Sequence, residues 1–291
     1  MILPLSIHAM GTRFEFVLAG ATEPSLRAVG EAALEEVQGW HAALSVFQPE
    51  SMLSFINRTA CDRPVRLDED MWNLMSLCDR VHRDSEGAFD PTVGMVMQRL
   101  GLHPGDGADG PIGWADLVEL DERERTIRLT HHGVRIDLGA VAKGFALDCS
   151  AGVLREHGVE AALLHGGTSS VIAIGSPPDR NGWTVSIRSA GEAIEVDLAD
   201  RALGVSAPRG RIVACEGGSV SHVIDPRSEH SAEQVDTAAV VGSSAGVADA
   251  WATALVVLGG RPASMSDKLE SLIHGQDGWV CSQRTCPQEV S

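Results

Sequence analysis

Between residues 161 and 241 the chain strings together seven short apolar runs, at 161–164, 171–174, 183–188, 194–198, 212–214, 220–224 and 237–241, with turn residues between them. The gaps between most of these runs are too short for helical crossovers, so consecutive strands must pair largely antiparallel. This excludes a doubly wound parallel sheet. Helical patterns flank the strand-rich stretch. Thr22 offers an N-cap with Pro24 in the first turn, and Leu26, Val29, Ala33, Val37, Trp40 and Leu44 follow at spacings of three and four. Residues 70–83 repeat that spacing. Further helices are predicted over about 139–157, 246–258 and 263–274, and a short one after the turn-rich 87–94 stretch. Strands are predicted at 12–18 and near 279–282, and a hairpin of 126–130 with 134–138 across His131-His132-Gly133. The class is α+β, a mostly antiparallel sheet with flanking helices. No Pro/Ser-rich linker divides it, which predicts one domain over 1–291.

Charge and composition narrow the function. With 23 basic and 40 acidic residues the net charge is −17. So acidic a chain is a poor partner for nucleic acid or an anionic membrane. A phosphate ligand would need its charge offset, and a divalent cation does that. Lysine occurs only at 143 and 268, and tyrosine is absent, so no Tyr chemistry is available. No apolar run approaches the ~20 residues of a membrane span. Residues 1–4 lack a basic region and a cleavage site, which predicts a cytoplasmic protein, or a periplasmic or membrane-anchored one if a leader has been removed. Six cysteines form no CxxC pair. Cys281 and Cys286 are the only close pair, and Cys78 and Cys149 fall in helical patterns as free core thiols.

Four segments carry polar groups suited to chemistry. In 137–144, "DLGAVAKG", an acid ends a strand and small residues open a helix with Lys143 one turn in; this is either an anion-binding helix start or a tight turn capped by Asp137. In 163–168, "LLHGGT", paired glycines either cradle a ligand or turn the chain. In 221–227, "SHVIDPR", His222 is a candidate general base, Asp225 could orient its ring if the turn folds back, and a structural histidine is the plainer alternative. In 248–253, "ADAWAT", Asp249 and Thr253 stand at i and i+4 on one helical face. Two such hard oxygen ligands could join a carbonyl, waters and phosphate oxygens around Mg²⁺; the alternative is an acid near a helix start and a Thr bonding back to its own helix.

Taken in order, "AMGT" (9–12), "LSVFQPESMLSFIN" (44–57), "GAFDPTVG" (87–94), "IDLGAVAKGFALD" (136–148), "LLHGG", "HVIDPR" and "ADAWATALVVLG" (248–259) resemble the FAD:protein FMN transferase family, also called the ApbE family. The resemblance spans about residues 9–259. It implies a single ApbE-like (T-fold-like) domain that uses Mg²⁺ to move FMN from FAD to a Thr or Ser hydroxyl of an acceptor flavoprotein, releasing AMP. By resemblance the metal ligands are Asp249, Thr253 and the Ala140 carbonyl. FAD contacts are implied for Met10, Phe47, Ala88, Phe89, Asp90, Asp137, Lys143 and Val223, with His222 as the catalytic base. Phe47 offers an aromatic face where the family often has Tyr. Thr168, Ser206-Ala207-Pro208 and Ser228-Glu229 depart from the family's usual residues, on the flavin and acceptor side. An Mg²⁺-dependent FAD pyrophosphatase and a flavin-binding protein without turnover are the rival functions.

Overall fold

In the computed structural model the described residues are 1–20, 22–103, 105, 108–208, 212–215 and 218–282, with 212–215 and 218–220 described in backbone only. In chain order the elements are β1 (Ile2–Ala9), β2 (Thr12–Ala19), α1 (Glu23–Leu44), α2 (Met52–Thr59), β3 (Val65–Arg66), α3 (Glu69–Asp84), α4 (Gly94–Arg99), α5 (Trp114–Leu117), β4 (Val118–Asp121), β5 (Thr126–Leu129), α6 (Ala142–Glu156), β6 (Ala161–Gly166), β7 (Ser170–Ile174), β8 (Trp183–Ser189), β9 (Glu192–Leu198), β10 (Ala202–Ser206), β11 (Ile212–Cys215), β12 (Gly218–Ser221), β13 (Ile224–Asp225), β14 (His230–Ser231), β15 (Thr237–Gly242), α7 (Ala245–Leu258), β16 (Glu270–Gly275) and β17 (Gly278–Cys281).

Eight strands form the main sheet in the order β1-β2-β6-β7-β10-β15-β16-β17, and every pairing in it is antiparallel. The close spacing of the apolar runs thus has the expected consequence. β7 and β15 are buried along their whole length because both faces are covered. One face carries α1, α6 and α7, whose apolar stripes meet Phe14, Phe16, Leu164 and Ile172 on one side and Val240 on the other. The opposite face is covered by the β8–β9 hairpin, whose Trp183, Ile187, Ile194 and Val196 pack on Val171, Leu203, Val241 and Leu272. Tertiary packing of this kind supplies most of the stability of each amphipathic element.

Several elements differ from the sequence expectation. Residues 1–9 form the edge strand β1, joined to β2 by a two-residue turn in which Met10 (φ 50°) and Gly11 (φ 72°) are both left-handed. β5 pairs with β4 and β3, not with 134–138. The 134–138 segment is held instead by Asn57, whose side chain donates to the Ile136 carbonyl and accepts its N–H (2.9 and 2.7 Å), and by Pro91, whose carbonyl accepts from Asp137 (2.7 Å). The predicted 263–274 helix is absent. Its end is β16, because the open edge of β15 offers a full ladder to Glu270–Gly275, which outweighs a three-turn periodicity. The predicted run 220–224 breaks at His222-Val223 into β12 and β13, and the helix expected from 139 begins at Ala142. Cys78 is buried and Cys149 half-buried, both as free thiols. Cys286 lies outside the described residues. No helix among the described residues is long and apolar enough to cross a membrane.

Candidate functional site

Four of the sequence segments converge on the N-terminal ends of α6 and α7. Asn57 of "LSVFQPESMLSFIN" clasps Ile136, and Gly94 of "GAFDPTVG" donates to the Arg135 carbonyl (3.0 Å). Both motifs therefore lie beside "IDLG". Asp137 ends that segment, and its Oδ1 accepts from the Gly139 N–H (2.8 Å) to form the turn into α6. A close helix contact then joins α6 to α7. A Cβ on Gly144 would meet the Ala245 carbonyl oxygen at 2.2 Å, so only glycine permits this approach. A Cβ on Gly204 of β10 would meet Ala248 at 2.4 Å, which clamps α7 from its other side.

This crossing is braced reciprocally. The half-buried Asp148 carboxylate on α6 accepts from Ser244 Oγ (2.7 Å) and from the Ala245 and Gly246 N–H groups (2.8 and 2.9 Å), capping α7. In return Asp249 Oδ2 on α7 accepts from the Gly144 N–H of α6 (2.8 Å) and from Ser170 Oγ on β7 (2.6 Å). In an unbroken helix Gly144 N–H would bond the Ala140 carbonyl. Among the described residues no helix bond takes that carbonyl. Asp249 is 6% exposed, and its Oδ1 is a buried acceptor with no hydrogen-bond partner. Such an orphaned carboxylate oxygen in a native structure points to an absent ligand. Burial, assisted by the charge of Asp148, pushes the Asp249 carboxyl up to about 7 against the pull of Lys143, Ser170 and Gly144.

These groups fit a magnesium ion. Asp249 Oδ1, the Ala140 carbonyl and the half-buried Thr253 hydroxyl, one turn along the same face, are all hard oxygens. Among the described residues no three His, Cys, Asp or Glu side chains converge as a metal cluster. A site here is a one-carboxylate site completed by neutral oxygens, which leaves coordination positions for water or phosphate.

The other predicted residues divide into two groups. Asp137 and Lys143 join the cluster. Burial would raise the Asp137 carboxyl, but the His103 bond, with help from Gly139 and Lys143, holds it below the usual range. The Lys143 charge acts on both Asp137 and Asp249. Phe47 is 63% exposed and stands edge-on to His103, with ring centroids 5.4 Å apart. Met10 sits half-buried in its turn, with its N–H on His41 Nδ1 (3.1 Å). Ala88, Phe89, Asp90 and Val223, by contrast, have buried side chains. Asp90 organises its own turn, accepting from Thr92 N–H and Oγ1 and from Trp114 N–H (2.8, 2.6 and 2.9 Å). As whole residues all four are at most 8% exposed. His222 is half-buried in the break between β12 and β13. Asp225 does not fold back on it. Both Asp225 oxygens are bonded to the Arg227 guanidinium (2.9 Å each), which lowers the carboxyl. Of the paired glycines, Gly166 ends β6 against the Phe14 ring, and Gly167 (φ +63°) opens the turn into β7 and lies against Thr12.

Sequence reasoning missed Ser170, Asp148 and His103. Asp148 was inside a quoted motif, four residues past Gly144 on the α6 face that meets α7. Ser170 and His103 left no pattern. Two surface hollows, of about 750 Å³ beside Pro64 and Arg128 and about 260 Å³ beside Thr22 and His157, contain none of these groups, so convergence of polar atoms rather than volume locates the site.

A family model described as the ApbE family matches residues 10–271 of the chain. The chain belongs to the ApbE family. Its ApbE relatives include proteins named FAD:protein FMN transferase. That of Chlamydia pneumoniae is 29% identical over 224 residues, covering 72% of this chain and 70% of the relative. That of Rhodobacter capsulatus is 28% identical over 276 residues, covering 87% of this chain and 51% of the relative, so the chain spans about half of that protein. The solved ApbE protein of Thermotoga maritima superposes with a TM-score of 0.84 at 23% identity, covering 97% of both chains. Flavin transferase ApbE from Vibrio cholerae gives 0.78 at 23% identity, covering 97% of this chain and 96% of its own. The α+β architecture is therefore the ApbE fold.

Proposed function

We propose that the chain is an Mg²⁺-dependent flavin transferase that moves FMN from FAD onto a Thr or Ser hydroxyl of an acceptor flavoprotein, acting as one unit over residues 1–291. The observation that carries this reading is the orphaned, buried Asp249 Oδ1, on a carboxylate whose other oxygen takes the Gly144 N–H that would otherwise bond the Ala140 carbonyl. Relatives named for this transfer support it. A metal held by Asp249, Thr253 and Ala140 would neutralise the FAD diphosphate and stabilise charge on the departing AMP. Around it, Lys143, whose charge acts on Asp137 and Asp249, offsets the anionic nucleotide, while Phe47 presents a ring to the flavin. His222 takes the acceptor hydroxyl proton. The hydroxyl oxygen bonds to the FMN phosphorus as the pyrophosphate P–O bond breaks, and the electron pair leaves with AMP. Without a base the hydroxyl is a poor nucleophile at neutral pH. The test is product analysis of FAD incubated with the chain and Mg²⁺, with and without a Thr/Ser-bearing flavoprotein acceptor. Transfer puts flavin on the acceptor with one AMP released. Free FMN in step with AMP means a pyrophosphatase, and unchanged FAD means binding alone.

A further inference from the structure

The loop after α4 brings an imidazole that no sequence motif marks against Asp137 and Phe47. The Leu102 and His103 N–H groups both donate to the Met97 carbonyl (2.8 and 3.2 Å), which closes α4 and fixes the backbone carrying the ring. The His103 side chain is 15% exposed and its Nε2 lies 2.5 Å from Asp137 Oδ2, itself on a side chain 10% exposed. Asp137 is thereby held at both oxygens, by His103 on one and by the Gly139 N–H on the other. The turn so fixed leads directly to Ala140 and Lys143. The same imidazole stands at 83° to the Phe47 ring, which is otherwise among the most exposed apolar groups of the protein. An edge-to-face partner of this kind restrains an exposed aromatic without covering its faces.

We propose that His103 is a positioning residue of the flavin-nucleotide cleft, acting through Asp137 and Phe47. The proposal rests on the flavin-transfer reading. One side chain sets the orientation and ionisation of the acid that shapes the α6 turn. It also backs the aromatic ring that would meet the flavin, so its loss disorganises two FAD contacts together. A simple loop-anchoring ion pair would affect stability alone.

Three substitutions separate these roles. His103→Gln keeps an N–H donor for Asp137, His103→Phe keeps the ring against Phe47, and His103→Ala keeps neither. FAD affinity is read by flavin-fluorescence titration with Mg²⁺ present, beside KM and kcat for AMP release and the melting temperature. Loss of a buried charge-assisted bond predicts that His103→Ala raises Kd and KM for FAD about tenfold. The loss falls on KM more than on kcat, and Gln and Phe each recover part of it. His103→Ala added to Asp137→Asn costs less than it does in the parent, because the share that acts through Asp137 is already lost and only the share that acts through Phe47 remains. An unchanged FAD affinity in His103→Ala, with or without a lower melting temperature, overturns the proposal and leaves flavin transfer standing. A loss confined to kcat overturns it in favour of a catalytic role. Failure of the unmodified protein to bind FAD overturns the transfer reading and this proposal together.

Discussion

At the scale of single residues, the decisive group is Asp249. Its carboxyl rises in the folded protein to about 7 from an ordinary value of 3.8, first through burial. A raised folded value means that the native state holds more protons than the unfolded chain between these pH values. Without metal, this residue therefore lets stability fall as pH climbs through that window, with a slope of about 1.4 kcal/mol per pH unit at most. Urea unfolding from pH 5 to 8 without Mg²⁺ should show this fall, and Asp249→Asn should flatten it. An equal slope in the variant would place the effect elsewhere. His222 was legible as a candidate base only from its motif, and its proposed orienting acid is engaged by Arg227. If it is the base, His222→Asn slows transfer by about 10²–10⁴-fold while FAD affinity stays near that of the parent. Weaker FAD binding with the saturated rate intact would make it a nucleotide contact instead.

At the scale of elements, the site is a helix crossing. α6 and α7 cap each other through Asp148 and Asp249, and the approach depends on Gly144. Gly144→Ala forces the helices apart, because the neighbour it meets is backbone rather than a flexible side chain. We expect a loss of about 1–3 kcal/mol in unfolding free energy, together with weaker Mg²⁺ binding by calorimetry, since Asp249 moves with α7. Unchanged stability and metal affinity would mean that the crossing is more tolerant than its geometry. The sequence displayed the residues of this crossing but not their purpose. Gly144 and Ala142 read equally well as room for a ligand, and only the fold shows α7 filling that room. Local pattern also misjudged 263–274, where apolar spacing suits a helix but the edge of β15 recruits a strand. By contrast, α1, α3, β6 and the β8–β9 hairpin were readable, because each buries one face whose period the sequence carries directly, and β7 was readable as a continuous apolar run covered on both faces. Ser170 and His103 were illegible, since each matters through a partner far away in sequence.

At the scale of the whole molecule, an eight-stranded antiparallel sheet holds the two helix N-termini at one place, in a chain of net charge −17. That charge opposes a dinucleotide diphosphate unless a cation accompanies it. FAD should accordingly raise the melting temperature more with Mg²⁺ than without, as mass action on the native state requires. No shift up to millimolar FAD in either condition would remove the cofactor assignment. The most direct test of the central claim is covalent flavin on the acceptor. Acceptor flavoprotein, FAD and the chain are incubated with Mg²⁺ or with EDTA, and flavin fluorescence of the denatured acceptor is measured for the parent and for Asp249→Ala. The account predicts a fluorescent acceptor only for the parent with Mg²⁺, with Asp249→Ala folded but inactive. Equal labelling by Asp249→Ala, or labelling that survives EDTA, would contradict it.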